Sequence, residues 1–240
     1  MSSFLTSSLN YESELFIGGG EARNHLIRNN SKSSPEHLVE LDRDYIWISE
    51  EDIPEELQKQ IDDDISVSPS IKEYMATRDV SINQVLFNPK TKELIASELA
   101  VKDAQQGIVR QLENSLRSFL RTLRFAVVYG FQPKTLHDLD FYSPDEDFGD
   151  WEYFERQVVT QLLRAGQAGK FSEYRRALEE VGVNLDSFEY YPDLLPDWSL
   201  GREDDEDSEE DFQQSILDKV PKEYEKYLGS KLHFLSKRIA

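Results

Sequence analysis

The chain has 240 residues, enough for one large domain or a domain with appendages. Acidic residues number 47 against 27 basic, a net charge of −20, which repels phosphate backbones and anionic membranes and attracts basic partners. Cysteine is absent, which excludes disulfides, thiolate catalysis, iron–sulfur clusters and cysteine zinc sites.

The first residues lack a basic segment followed by a long apolar run, so no secretory signal is expected. The longest clean apolar run, Phe125 to Tyr129, falls far below the roughly 20 residues of a membrane span. A soluble, cytoplasmic protein without membrane contact is the expectation.

Residues 1–66 read as an N-terminal arm carrying a strand and an acidic helix. Ser, Asn and Gly dominate up to residue 36. Gly18-Gly19-Gly20 precedes a short helical segment, Glu21 to Arg28. A glycine run before a helix can cradle an anion. However, Glu21 and Ala22 follow where a phosphate loop needs Lys and Ser or Thr, so the run reads as a flexible joint. Tyr45-Ile46-Trp47-Ile48 is β-branched and aromatic and predicts a strand. Ile53, Leu57 and Ile61 predict a helix that starts near Pro54 and ends at Asp62-Asp63-Asp64. Such an aspartate run reads as a solvated turn rather than a metal site.

Residues 67–200 read as a helical core. Ser68-Pro69 predicts a short helix over Ser70 to Thr77. Ile82 to Phe87 predicts a strand that ends at the Asn88-Pro89 turn and pairs with Tyr45 to Ile48. Thr91 to Phe131 carries the longest helical pattern. Ile95, Leu99, Val109, Leu112, Leu116, Phe119, Leu120, Leu123 and Val127 recur at three- and four-residue steps. A break is expected near Gln106-Gly107, and Gly130 stands where a helix would stop. Arg110, Arg117, Arg121 and Arg124 fall within roughly 60° of arc on that one helix. Such a ridge fits pairing with the protein's own carboxylates better than phosphate contact. Trp151 to Arg164 and Lys170 to Val181 predict a helical hairpin with a glycine loop. Asn184 to Leu200 reads as an extended wrap.

Residues 201–240 read as an acidic linker, Glu203 to Asp211, and a basic C-terminal helix opened by Pro221. The fold class expected is therefore mainly α: a core on a long central helix and a helical hairpin, with a small β element and extended arms.

No chemical signature completes itself. The four histidines show no helical zinc spacing, and no HExxH occurs. The loop from Leu136 to Asp150 fails the EF-hand register, since Gly149 at position 6 would put Pro144 at position 1. No cofactor, metal ligand or catalytic residue is expected. The reading from sequence is a non-enzymatic acidic protein that regulates or inhibits a basic, nucleic-acid-binding partner, in one form by nucleic-acid mimicry. The alternative is an assembly subunit of a large complex or virus particle. The partner-binding residues expected are Asp138, Asp140, Phe141, Tyr142, Asp145, Glu146, Asp147, Phe148, Trp151, Glu203, Asp204, Asp205, Glu206 and Asp207. The acids would steer a basic partner and the aromatics anchor it, without direct nucleic-acid contact.

Overall fold

The computed structural model describes residues 14–31, 43–55, 65–142, 151–185 and 188. They fall into two compact units. The first takes the described part of residues 1–113 and Tyr129–Lys134; the second takes Asn114–Val128 and the described residues from Thr135 onward.

The first unit is built on a five-stranded mixed sheet. Its strands are β1 (Glu14–Gly18), β2 (Arg43–Ile48), β3 (Ile65–Ser68), β4 (Val85–Phe87) and β5 (Leu94–Ala96). Their order is β3-β2-β1-β4-β5. Central β1 pairs antiparallel with β2, placing Phe16 opposite Ile46 and Gly18 opposite Asp44. It pairs antiparallel with β4 at Ile17 and Phe87. β3 runs parallel to β2, and β5 antiparallel to β4.

Leu15-Phe16-Ile17, Tyr45-Ile46-Trp47-Ile48 and Val85-Leu86-Phe87 are nearly continuous apolar runs, as in strands covered on both faces. Alternation puts Phe16, Ile46, Ile48 and Leu86 in one cluster with Tyr74 and Met75 of α2 (Ile71–Ala76). Helix α1 (Gly19–Asn30) lies against β1, β2 and β4, and its His25 stacks on Phe87 at 4.4 Å. Burying a side chain such as Phe16 or Leu26 completely contributes about 1.5–3 kcal/mol.

Local chemistry sets the remaining ends. The Ser70 hydroxyl accepts from the Glu73 amide and starts α2. A 3-10 turn, Ser81–Asn83, precedes β4. The Ser97 hydroxyl accepts from the Ala100 amide at 3.0 Å and starts α3 (Glu98–Gln106). Gly107, at φ 66, stops it in the left-handed region. β6 (Ile108–Arg110) then pairs in parallel with β7 (Gln132–Lys134). Arg110 grips the buried Asp103 carboxylate with Nε at 3.2 Å and Nη2 at 3.0 Å.

The second unit is helical: α4 (Leu116–Tyr129, its last residue belonging to the first unit), α5 (Trp151–Gln167) and α6 (Phe171–Glu180). Leu116, Phe119, Leu120 and Leu123 pack with Phe154, Val158, Leu162, Phe171, Tyr174 and Leu178. The buried Tyr174 hydroxyl donates to the Leu120 carbonyl at 2.9 Å. Gly169, at φ 68, turns the chain between α5 and α6. No helix among the described residues is long and apolar enough to cross a membrane.

The α5–α6 hairpin, the short helix after Ser70 and the stops at Gly107 and Gly130 stand where the sequence predicts them. The mainly-α class does not hold, because a five-stranded mixed sheet organises the first unit. Part of the supposed arm, Glu14–Gly18, is its central strand. The predicted strand over 82–87 shortens to Val85–Phe87, and β1 stands between it and β2. The single helix over 91–131 is β5, α3, β6 and α4. Its apolar spacing arose from separate elements joined in phase. Arg110 therefore leaves the supposed ridge: it sits on β6, paired with Asp103. The predicted helix over 53–61, the Asp62–Asp64 turn, the wrap beyond Phe188 and the region 201–240 lie outside the described residues, apart from the first few positions at 53–55.

Burial pushes the Tyr174 hydroxyl far above the usual tyrosine range, with Arg124 pulling weakly the other way. In the unfolded chain a tyrosine loses its proton near pH 10. Above that pH the unfolded state sheds a proton that the folded state keeps, so stability falls as pH rises. Tyr174→Phe removes this contribution. Urea denaturation is expected to show a loss of about 1 kcal/mol at pH 7, from the hydrogen bond, and a flatter decline above pH 10 than wild type.

Candidate functional site

The site lies where β1 turns into α1. Gly18 ends the central strand, Gly19 takes φ 60, and α1 begins at once. No side chain caps this helix start. With glycine at the N-cap, no cap side chain answers the first amide N–H groups of α1, an arrangement that suits an anion.

Gly18 has a second reason to be glycine. A Cβ built there would collide with the Tyr74 hydroxyl and stand 3.3 Å from Ile46 Cγ1. Across the ladder, opposite Gly18, is Asp44, exposed at the head of β2. Directly opposite residues of an antiparallel pair share a face, so Asp44 continues the row of Ile48 and Ile46 on the Tyr74 side of the sheet. Asp42 precedes it by two residues in the sequence and lies outside the described residues.

Tyr74 is 3% exposed. Burial raises its pKa, Asp44 adds to that, and Arg78 and Arg23 work against it. The Arg78 guanidinium lies over the Tyr74 ring, 4.1 Å from its centre. Its Nη2 donates to Thr77 Oγ1 at 2.9 Å, while its Nε is buried and makes no hydrogen bond.

A buried polar chain holds these parts together. Arg23 of α1, 4% exposed, donates from Nε to the Tyr129 hydroxyl at 2.8 Å and from Nη1 to Asn83 Oδ1 at 2.6 Å. Asn83 Nδ2 donates to Asp79 Oδ1 at 3.1 Å, and the Tyr129 hydroxyl donates to Asn24 Oδ1 at 3.1 Å. The first turns of α1 are thus tied to the segment that carries Arg78 and Asp79.

Among the described residues, no group of three or more His, Asp or Glu side chains is arranged to hold a metal ion. That does not count against a magnesium ion, which typically takes one or two carboxylates and completes its shell with phosphate oxygens and water. Exposed Asp44 fits such a role chemically, and an anion on the glycine turn would lie beside it.

Those residues expected from sequence that the structure describes fall elsewhere, in the second unit. Asp138 and Asp140 are exposed around the 3-10 turn Leu139–Phe141. Phe141 is 59% exposed and stacks on His137 at 3.9 Å. Tyr142 is half-buried, donates to Asn114 Oδ1 at 3.0 Å and packs on Phe119. Trp151 is exposed at the start of α5. Asp145, Glu146, Asp147, Phe148, Glu203, Asp204, Asp205, Glu206 and Asp207 lie outside the described residues.

No protein-family model and no curated protein matches the sequence. Solved structures do match in fold. A Thermotoga maritima CCA-adding enzyme complexed with tRNA is similar over 85% of this chain and 58% of its own, with TM-score 0.50 and 15% identity. A tRNA-processing enzyme in an apo form matches over 95% and 70%, with TM-score 0.49 and 16% identity. A tRNA nucleotidyltransferase complexed with primer tRNA and an ATP analogue matches over 90% and 75%, with TM-score 0.44 and 17% identity. The likeness is one of fold, carried by the first of the three.

That likeness corrects several expectations. The fold is similar to that of the Thermotoga CCA-adding enzyme and is built on a five-stranded mixed sheet; it is not of a mainly-α class. The Thermotoga protein that shares it is an enzyme, against the reading of a non-enzymatic inhibitor, DNA mimic or viral assembly subunit. The Thermotoga protein is held in complex with tRNA, against the expectation of a basic protein partner and no nucleic acid. The physical reason is common to the last two. Net charge governs long-range association and says little about fold or about a local site.

The signals for the site were in the sequence: three glycines directly between an apolar strand and a helix, and Asp42-Arg43-Asp44 at the entry to the next strand. The phosphate-loop test rejected the first, and the second was passed over. Gly18→Ala is expected to destabilise the chain by about 1–3 kcal/mol in urea denaturation, because the new methyl meets the Tyr74 hydroxyl. Adding Tyr74→Phe should recover part of that loss, giving a coupling between the two positions of at least about 0.5 kcal/mol.

Proposed function

We propose that the chain is a nucleotidyltransferase. It would take a nucleoside triphosphate at the β1–α1 turn and pass the nucleotidyl group to the 3′ hydroxyl of an RNA, with tRNA the first acceptor to test. What supports this is the placement of the Gly18 turn opposite exposed Asp44, in a fold similar to that of a CCA-adding enzyme.

The electrostatics favour a cation-assisted reaction. Triphosphate oxygens on the α1 amides would lie beside the Asp44 carboxylate, and the two negative groups would repel. Asp44 would hold a magnesium ion, which would supply charge neutralisation at the phosphate under attack. The α1 amides orient the phosphates, and Gly18 admits their close approach because it has no side chain. Arg78, whose Nε makes no hydrogen bond and which lies over Tyr74, is a cation that could take up charge on the leaving group. The acceptor oxygen bonds to the α-phosphorus, the bond to the β-phosphate oxygen breaks, and pyrophosphate leaves as the hydroxyl proton passes to water.

The net charge of −20 opposes RNA at long range. Screening confines that repulsion to about 8 Å at physiological salt, so local groups decide contact. A cytoplasmic location belongs to the same proposal, since RNA and nucleoside triphosphates meet there.

The test is incorporation of labelled CTP or ATP into tRNA trimmed at its 3′ end. Label is expected to enter with magnesium and not with EDTA. Asp44→Asn should lower kcat/KM by about 100-fold or more while the urea midpoint holds. Incorporation that ignores Asp44→Asn, or none at all with magnesium or manganese, would refute the reading.

A further inference from the structure

We infer that Tyr74 is a positioning residue of this site: its hydroxyl props the Gly18 turn opposite Asp44, and its ring seats the Arg78 guanidinium. The inference rests on the nucleotidyltransferase reading and adds to it a residue that the triphosphate need not touch.

The placement is unusual for a tyrosine in a core. Tyr74 is 3% exposed and surrounded by Phe16, Ile46, Ile48 and Leu86. A phenylalanine would fill the same space without bringing a hydroxyl out of water, which is costly when nothing answers it. Here the hydroxyl lies against the α-carbon of Gly18 and within reach of the Asp44, Arg78 and Arg23 charges. The glycine turn, the carboxylate and the two guanidiniums all bear on this one hydroxyl. The ring is used as well. Arg78 lies over its face, with Nη2 committed to Thr77 and Nε without a hydrogen bond. Helix α2 is pinned at both ends, by the Ser70 cap and by Gln84 Nε2 donating to the Met75 carbonyl at 3.0 Å. Tyr74 therefore has a fixed base from which to hold the turn.

Two variants separate the hydroxyl from the ring. Tyr74→Phe keeps the seat for Arg78 and removes the prop. Tyr74→Leu removes both. In labelled-nucleotide transfer with magnesium, Tyr74→Phe is expected to lower kcat about tenfold and leave the nucleotide KM within twofold. Tyr74→Leu should lower kcat similarly and also raise KM about tenfold. Both comparisons are made at equal folded fraction, read from urea denaturation. Calorimetry with magnesium and inorganic pyrophosphate gives a readout independent of turnover: affinity should fall at least fivefold in Tyr74→Leu and little in Tyr74→Phe. Folded variants with wild-type kcat, KM and pyrophosphate affinity overturn the inference, as do losses that only track the unfolded fraction. A wild-type chain that transfers no nucleotide, yet binds pyrophosphate with this pattern across the variants, retires the functional reading and leaves the positioning role standing. A wild-type chain that neither transfers nor binds overturns both.

Discussion

A buried guanidinium constrains much of the first unit. Arg23 is 4% exposed, and a guanidinium buried so far needs hydrogen bonds to replace its water. The replacements come from far along the chain: the Tyr129 hydroxyl, 106 positions away, and Asn83, 60 positions away. Asn83 passes the interaction on to Asp79, whose carbonyl also accepts from the Leu112 amide at 2.8 Å. One helix, one 3-10 turn, the end of α4 and the start of the Leu112 loop are therefore fixed by a single polar chain. Because α1 leaves directly from Gly18, what fixes Arg23 also fixes the glycine turn.

The apolar clusters work differently. Phe16, Ile46, Ile48, Leu86, Tyr74 and Met75 exclude water from one face of the sheet, a force that is strong but without direction. Packing of that kind tolerates substitution of similar volume. The direction comes from contacts that allow one residue only. Gly18 is needed because the Tyr74 hydroxyl occupies the place of its Cβ. Gly107 is needed because φ 66 ends α3 in time for β6 to pair with β7. The candidate site is built from the directional kind.

What the sequence made legible follows the same division. Helices whose pattern is closed by local chemistry were readable, as at Ser70 for α2 and at the glycine loop between α5 and α6. The central segment misled because β5, α3, β6 and α4 happen to share a helical spacing of apolar residues. Ser97, Gly107 and Ser115 mark the breaks, and Ser97 acts through its amide partner and through Gln84, which also holds α2. Strand order was not legible at all. β1 lies between β2 and β4 because of long-range pairing, and no local signal in Glu14–Gly18 announces a central strand. Arg110 looked like part of a helical ridge until its partner Asp103, seven residues back, placed it on a strand.

The site itself was half legible, and the missing half is informative. Gly18 to Gly20 has the glycines of an anion cradle and fails the phosphate-loop test for want of a lysine. That test belongs to one kind of loop, in which a side chain supplies the positive charge. Here the turn offers backbone amides and faces a carboxylate, Asp44, from the neighbouring strand. Such a pair looks self-defeating in a sequence, since both the expected ligand and the residue beside it are negative. Brought together by the β1–β2 register, they set up a demand for a cation between them. The same logic reverses the weight given to the net charge. An overall excess of acid argues against phosphate ligands only where no cation or amide array intervenes. At a helix start beside a carboxylate, the local arrangement of charge decides what can bind.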